Sequence, residues 1–243
     1  MASVSTSVTG IVISTVRYGD NGVVANVLTR DDGRRAYMAS ATGGKSGKGG
    51  RMAMLMPLSL IEFVASGIKR TAMPRMSQTR FRRPLGKIPF DPTRRAVAMF
   101  VAELLTRAVP EEVPDPVLFD FVDASISILD DDIDGTYNFH LWFMMHLADH
   151  LGIGPERNTT GSNIFDMEAG LWADRLPPHP FSVCGREAEL WKALGETDVT
   201  DLASITMTRS ERQHMIDLMS QYYKIHLPGF GQLKSQTILA MLN

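Results

Sequence analysis

A chain of 243 residues that is 44% hydrophobic and 21% charged holds enough apolar material for an ordinary folded core, which excludes a disordered or fibrous protein. No apolar run reaches the ~18 residues needed to span a bilayer and Met1 to Gly10 carries no Lys or Arg, so neither a membrane-spanning helix nor a secretory leader is expected, and the cytoplasm is the expected compartment. The net charge of −2 conceals two halves of opposite sign: residues 1–95 hold 16 Lys and Arg against 5 Asp and Glu, and residues 96–243 hold 9 against 22. A cation excess on one small domain attracts a polyanion, of which nucleic acid is the commonest in the cytoplasm; the bland alternative is a solvated basic surface.

From Gly10 to about Arg75 the pattern is strand-like. Thr9 to Val16, Gly22 to Leu28 and Arg34 to Ala41 are rich in branched residues, and the turns between them, at Asn21-Gly22 and Asp31-Asp32-Gly33, tolerate the positive φ of hairpins. Thr42 to Arg51, reading TGGKSGKGGR, has no side chains for a core and is expected to be a mobile basic loop. Met52 to Ala65 and Ile68 to Met76 bring the count to five strands, which suits a small closed OB-fold barrel over residues 1–80.

After Arg80-Phe81-Arg82-Arg83-Pro84 the period becomes helical, and residues 81–243 are expected to form an all-helical second domain with an irregular segment at about 154–183. Asp91-Pro92 and Asp115-Pro116 each set a capping carboxylate before a proline, as at a helix start. Asn138 to Leu151 is apolar nearly all round and is the expected central helix. Helix is expected again over Gly185 to Leu194, after the capping-box spacing Thr208-Arg209-Ser210-Glu211, and over Ser235 to Leu242.

Several motifs imitate catalytic or metal sites. Gly44-Lys45-Ser46 lacks the upstream glycine of a phosphate-binding loop, since Ala39 stands there. Asp130-Asp131-Asp132-Ile133-Asp134-Gly135 begins like a calcium loop but has Leu141 where the closing carboxylate belongs. His146 and His150 share a helix face without the glutamate of a zinc peptidase, and Cys184 has no partner thiol. No catalytic constellation is left, so a binding protein without catalytic residues, metal or cofactor is expected.

The positive signal is a set of cations with aromatics among them. Arg30, Arg34 and Arg35 flank one hairpin; Lys45, Lys48 and Arg51 sit in the glycine-rich stretch; Lys69, Arg70 and Arg75 lie on or near the last strand; Arg80, Arg82 and Arg83 follow it. Such a groove can track phosphates, while Tyr18, Tyr37 and Phe81 are candidates for stacking on unpaired bases, core packing being the other role open to each.

Three stretches resemble the RecO family of bacterial repair and recombination mediators. Thr9-Gly10-Ile11-Val12-Ile13 with Gly19 to Val27 and the turn at Gly33 is similar to its opening barrel, and Leu147 to Pro155 to its central-helix exit. Tyr222-Tyr223-Lys224-Ile225-His226-Leu227-Pro228-Gly229-Phe230-Gly231-Gln232-Leu233-Lys234-Ser235 is similar to its C-terminal signature. The resemblance implies binding of single- and double-stranded DNA, annealing of complementary strands, contact with the acidic C-terminal tail of single-strand-binding protein, and partnership with RecR in loading RecA, and so association with the nucleoid. Many members hold zinc with four cysteines after the central helix; this chain has one cysteine and departs from that pattern. An RNA-binding OB protein of translation or RNA metabolism is the alternative, since stacking and phosphate contacts serve RNA equally. A hydrolase built on Asp and His of the helical domain is the third reading.

Overall fold

Branched side chains lose rotamer freedom in a helix but fit a pleated strand, and the Ile, Val and Thr runs that open the chain accordingly form strands. The computed structural model describes residues 5–20, 22–40, 52–67 and 73–241. Strands β1 (Ser5–Tyr18), β2 (Gly22–Thr29), β3 (Gly33–Ser40), β4 (Leu60–Ser66) and β5 (Arg75–Arg83) close into a barrel in the order β1-β2-β3-β5-β4. β1 serves two partners: Ser5 to Ile11 pair with Ser66 to Leu60 of β4, and Gly10 to Tyr18 with Thr29 to Gly22 of β2. A bulge between Val12 and Ser14 bends it where the partner changes. A side chain at Gly10 would start 2.3 Å from Val27 Cγ1, so only glycine lets the strands approach there.

Val8, Val12, Val23, Ala25, Val27, Tyr37, Ile61, Phe63, Ala65 and Met76 fill the barrel. Two strand expectations need correction. Residues 52–54 form a helical turn and β4 begins only at Leu60; β5 runs from Arg75 to Arg83, not from Ile68 to Met76, so the boundary expected at residue 80 falls inside it. The outward positions of β5 are Arg75, Ser77, Arg80 and Arg82, and a strand whose free face is arginine reads as a basic linker.

Helices α1 (Pro92–Ala108) and α2 (Pro116–Asp130) start as their Asp-Pro pairs predict. Asp91 Oδ1 accepts from the Arg94 N–H at 3.0 Å and Asp115 Oδ1 from the Leu118 N–H at 2.9 Å. The chain divides into two units, Met1–Phe90 with Val109–Asp130, and Asp91–Ala108 with Asp131–Asn243. α2 thus belongs with the barrel. The reason lies in Leu28, Ile11 and Leu60, directly opposed on β2, β1 and β4: they point out of the barrel, yet each is at most 2% exposed. α2 brings a matching apolar stripe of Leu118, Phe119, Val122, Ile126 and Leu129. The residues before it dock on the β2–β3 hairpin, where Glu112 N–H donates to Arg34 O at 2.9 Å and Gly33, at φ +70°, lies so close to Val113 that a Cβ would meet its carbonyl at 2.3 Å.

In the second unit α3 (Phe139–His150) is buried on nearly every side, as its apolar sequence predicts. Around it stand α1, α4 (Gly185–Glu196) and α5 (Arg209–His226), and α6 (Gln236–Met241) lies against α1 and α5. Thr208 and Glu211 form the expected capping box at the start of α5. The Tyr223 hydroxyl donates to Met144 O at 2.7 Å, and Phe230 packs against the Tyr223 ring with centroids 5.0 Å apart. Glu103 of α1 accepts from the N–H groups of Lys234 and Ser235 and from the Ser235 hydroxyl at 2.6–3.0 Å, which ties the C-terminal signature down. Burial pushes this carboxyl up, but those donors and Arg107 together bring it below its ordinary value.

The domain is not all-helical. Within the segment expected to be irregular, β6 (Ile164–Asp166), β7 (Leu171–Ala173) and β8 (Ser182–Cys184) form a sheet in the order β7-β6-β8, anchored by Phe165 stacked on Trp191 at 5.0 Å. Strands of three residues are too short for alternation to show in sequence. The acidic run of the calcium-like motif has structural duties instead: Asp130 accepts from the N–H groups of Gly86, Lys87 and Ile88 at 2.7–2.9 Å, and Gly135, at φ +78°, lies against Ala203. No helix among the described residues is long and apolar enough to cross a membrane.

His140 is 2% exposed and neither ring nitrogen has a hydrogen-bond partner. Burial, with Arg212 nearby, pushes its pKa down from 6.5 to about 3. The folded state therefore holds it neutral while the unfolded chain takes up a proton below 6.5. Its contribution is complete above 6.5 and is lost as pH falls from there toward about 3. Denaturant unfolding across this window should show stability falling by up to about 1.4 kcal/mol per pH unit from this residue, and His140→Leu should flatten the slope by about that amount. Equal slopes for the two proteins would contradict the assignment.

Candidate nucleic-acid interface

Ladder partners on adjacent strands share a face, so strand register alone assembles the outer surface of the barrel. Val16 opposes Val24, Val24 opposes Met38, and Met38 neighbours Arg75 across β3 and β5. All four point away from the interior, which Val23, Ala25, Tyr37, Ala39 and Met76 occupy. Val16 and Tyr18 are 60% and 64% exposed, and Arg75 is exposed with no carboxylate partner among the described residues. Arg17, likewise without one, stands on the opposite face of the β1 overhang, across from Val23. The result is an aliphatic strip with an aromatic at one end and a guanidinium at the other.

The other expected cations are disposed differently. Arg34 is 12% exposed, its Nε donates to Val109 O at 2.8 Å, and its guanidinium pairs with Glu111 at 3.2 Å. Arg35 pairs with Glu112 at 3.5 Å, Arg30 with Asp120, and Arg82 and Arg83 share Asp123 at 3.1 and 3.4 Å. Arg80 reaches Glu62 on β4 at 2.6 Å while staying 76% exposed. These six arginines therefore do not form a free cationic groove; five of them face carboxylates from residues 111–123. Lys45, Lys48, Arg51, Lys69 and Arg70 lie outside the described residues. The charge split changes accordingly. Once Val109–Asp130 is counted with the barrel, that unit holds 14 Lys and Arg against 10 Asp and Glu, net +4.

Of the aromatics, Tyr18 is presented to solvent, but the other two expectations are corrected. Tyr37 is 1% exposed, its ring meets Phe63 edge-on at 4.9 Å, and burial pushes its hydroxyl up to about 12. Phe81 is half-buried opposite Ile61 on the core-facing side of β5. Both sit at inward positions of the alternation, where a ring fills the core instead of receiving a base.

The helical unit holds a feature that periodicity did not reveal, a cavity of ≈ 540 Å³ lined by Arg209, Arg212, His214, Ile216, Leu239 and the unpartnered His140. Arg212 lies 5.0 Å from the centre of the Tyr137 ring, and burial lowers its pKa. The sequence signal was Arg209, Arg212 and His214 in the first turns of an amphipathic helix. No group of three His, Cys, Asp or Glu side chains that could hold a metal occurs among the described residues.

The family model for the N-terminal domain of recombination protein O matches residues 1–85, and that for its C-terminal domain matches residues 89–237. Proteins named DNA repair protein RecO from Phocaeicola vulgatus, Bacteroides fragilis and Porphyromonas gingivalis are 32%, 31% and 29% identical to the chain. Each alignment covers 96% of the chain and 96–97% of the relative.

Exposure separates the two kinds of arginine. Arg34→Met strands the Val109 carbonyl and is expected to cost about 1–3 kcal/mol, whereas Arg80→Met removes an exposed pair that contributes about 0–1 kcal/mol. Urea titrations of both variants provide the comparison, and a larger loss at Arg80 would contradict it.

Proposed function

This chain belongs to the RecO family of recombination proteins, and we propose that within DNA repair and recombination its barrel unit grips DNA through the outer strip from Tyr18 and Val16 across Val24 and Met38 to Arg75. The observation that carries this reading is that strip itself: an uncharged row of outward side chains, exposed at Tyr18 and Val16 and half-buried at Val24 and Met38, over which bases can lie, with exposed Arg75 at its border for a phosphate. An OB barrel takes oligonucleotides on the face of its second and third strands and on the adjoining loops. The sequence of the same N-terminal stretch also carries Lys45, Lys48, Arg51, Lys69 and Arg70, and cations of this kind add sequence-independent affinity for single and double strands.

Annealing needs no catalytic group on this reading. Cations that neutralise two phosphate chains lower their repulsion, and complementary bases do the rest. For the acidic tail of single-strand-binding protein, a peptide of carboxylates, the candidate place is the cavity of the helical unit, where Arg209 and Arg212 outnumber the one carboxylate, Asp217, and Ile216 and Leu239 form an apolar wall. Partnership with RecR and loading of RecA complete the mediator role and come with the family resemblance alone. The RNA-binding alternative makes the same contacts, and matched strands separate it.

Fluorescence anisotropy with labelled single-stranded DNA and RNA of one sequence tests the proposal. Tyr18→Ala combined with Arg75→Glu should weaken DNA binding at least about tenfold, with a shallower dependence on salt. Arg212→Glu should leave DNA binding alone and abolish binding of an acidic tail peptide. Unchanged DNA affinity in the first variant, or preference of the wild type for RNA, would overturn the reading.

A further inference from the structure

Among the described residues, Arg30, Arg34, Arg35, Arg82 and Arg83 each already hold an anionic oxygen, and the anions are carboxylates of the protein's own chain. Arg30 pairs with Asp120, their side chains 46% and 54% exposed. Arg82 and Arg83, each 43% exposed, share Asp123. Asp120 and Asp123 stand one turn apart on α2, about 5–6 Å between Cβ atoms, which is of the order of the charge spacing along a nucleic-acid strand. The Arg30 pair is exposed on both sides and the Asp123 pairs on the arginine side, Asp123 itself being 22% exposed, and ion pairs open to solvent are weak and screened by salt. Arg34, at 12% exposure and bound also to a backbone carbonyl, is not of this kind and stays in place.

What fastens α2 is its apolar stripe, so the exposed arginines can change partners without the helix leaving the barrel. The competitor that would take them is a polyphosphate, which presents many charges on one chain and gains counterion release that two isolated carboxylates do not offer. We infer that Asp120 and Asp123 form an internal mask over a second DNA track, Arg30–Arg82–Arg83, and that a DNA strand binds there by displacing the carboxylates from the arginines. This inference rests on the proposed DNA binding by the barrel unit. It assigns Asp120 and Asp123 a regulatory duty, namely to hold down affinity for a second strand until the local phosphate concentration is high. Such a strand is present when one is already bound on the Tyr18–Arg75 strip, the situation annealing requires.

The test uses the full chain carrying Asp120→Asn and Asp123→Asn, titrated with labelled oligothymidine at about 50 and 200 mM salt. The variant should bind at least about fivefold tighter at the lower salt and show a steeper loss of affinity with salt, because three arginines meet phosphate without first giving up a carboxylate. Glu156→Gln with Glu196→Gln, two exposed positions of the helical unit, changes net charge equally and should give little gain. Adding Arg30→Gln and Arg82→Gln to the Asn variant should cancel the gain, whereas adding Arg157→Gln and Arg175→Gln, two exposed arginines of the helical unit whose loss restores the same net charge, should leave it. Should the Asn variant fail to fold, Arg30→Gln with Arg82→Gln in the wild type carries the same test, with weaker binding expected. The inference is overturned if the Asn variant binds no tighter than the charge-matched control, if its gain survives loss of Arg30 and Arg82, or if the Arg30 and Arg82 variant binds like wild type. A wild type that binds DNA while any of these holds leaves the proposed function standing, whereas a wild type that does not bind DNA fails both.

Discussion

The barrel of this protein buries two faces of β1, and most of the architecture of its unit follows from that demand. Inward residues such as Val8 and Val12 fill the interior, while Ile11, flanked by Leu28 and Leu60, points outward and is still almost wholly buried. A barrel alone cannot bury an outward residue, so α2 is drawn back from beyond α1 to supply the second half of the contact. Magnitudes decide what holds it. A fully buried Leu, Val or Phe contributes about 1.5–3 kcal/mol, and an exposed ion pair about 0–1 kcal/mol. The apolar stripe fastens the helix, and the arginines that meet Asp120 and Asp123 add little to that hold.

That arrangement alters what the lopsided charge of the sequence means. The boundary near Arg95 separates a basic from an acidic half, but the fold returns Glu111, Glu112, Asp120 and Asp123 to the basic half and sets them against Arg34, Arg35, Arg30 and the pair Arg82 and Arg83. A strongly cationic stretch becomes a mildly cationic unit whose charge is unevenly distributed. The face that carries α2 is neutralised, whereas the strip ending at Arg75 is not. Electrostatic attraction to a polyanion thus has a direction on the barrel, which a net charge cannot express.

The helical unit depends on polar anchors of another sort. Glu103 gathers the N–H groups of Lys234 and Ser235, and the Tyr222 and Tyr223 hydroxyls cap the carbonyls of Ile153 and Met144, so that the last segment of the chain is tied to α1 and α3. Gly229 and Gly231 take positive φ within that segment, which lets Phe230 turn inward onto Tyr223. The C-terminal signature recognised in the sequence is therefore a structural clasp in this fold. The cations that line a cavity come from the first turns of α5, a few residues upstream of it.

Local and periodic features were legible before any coordinates. The first three strands and their turns, the Asp-Pro helix starts, the all-round apolar α3, the capping box at Thr208 and the family itself could be read because each rests on residues adjacent in the chain or repeating at a fixed interval. What the sequence could not express was pairing across distance. Strand β5 passed for a linker because its outward positions are arginine and serine, and the sheet at β6 to β8 because three residues hold no period. Tyr37 and Tyr18 are the same residue type on the same barrel, and only strand parity sends one ring to the core and the other to solvent. Likewise the residue type of Arg30 or Arg75 declared a positive charge, but whether that charge is answered by Asp120 or left open depends on a helix that folds back from ninety positions away in the chain. Residue type fixes what a side chain is able to bind; only the tertiary fold decides what reaches it first.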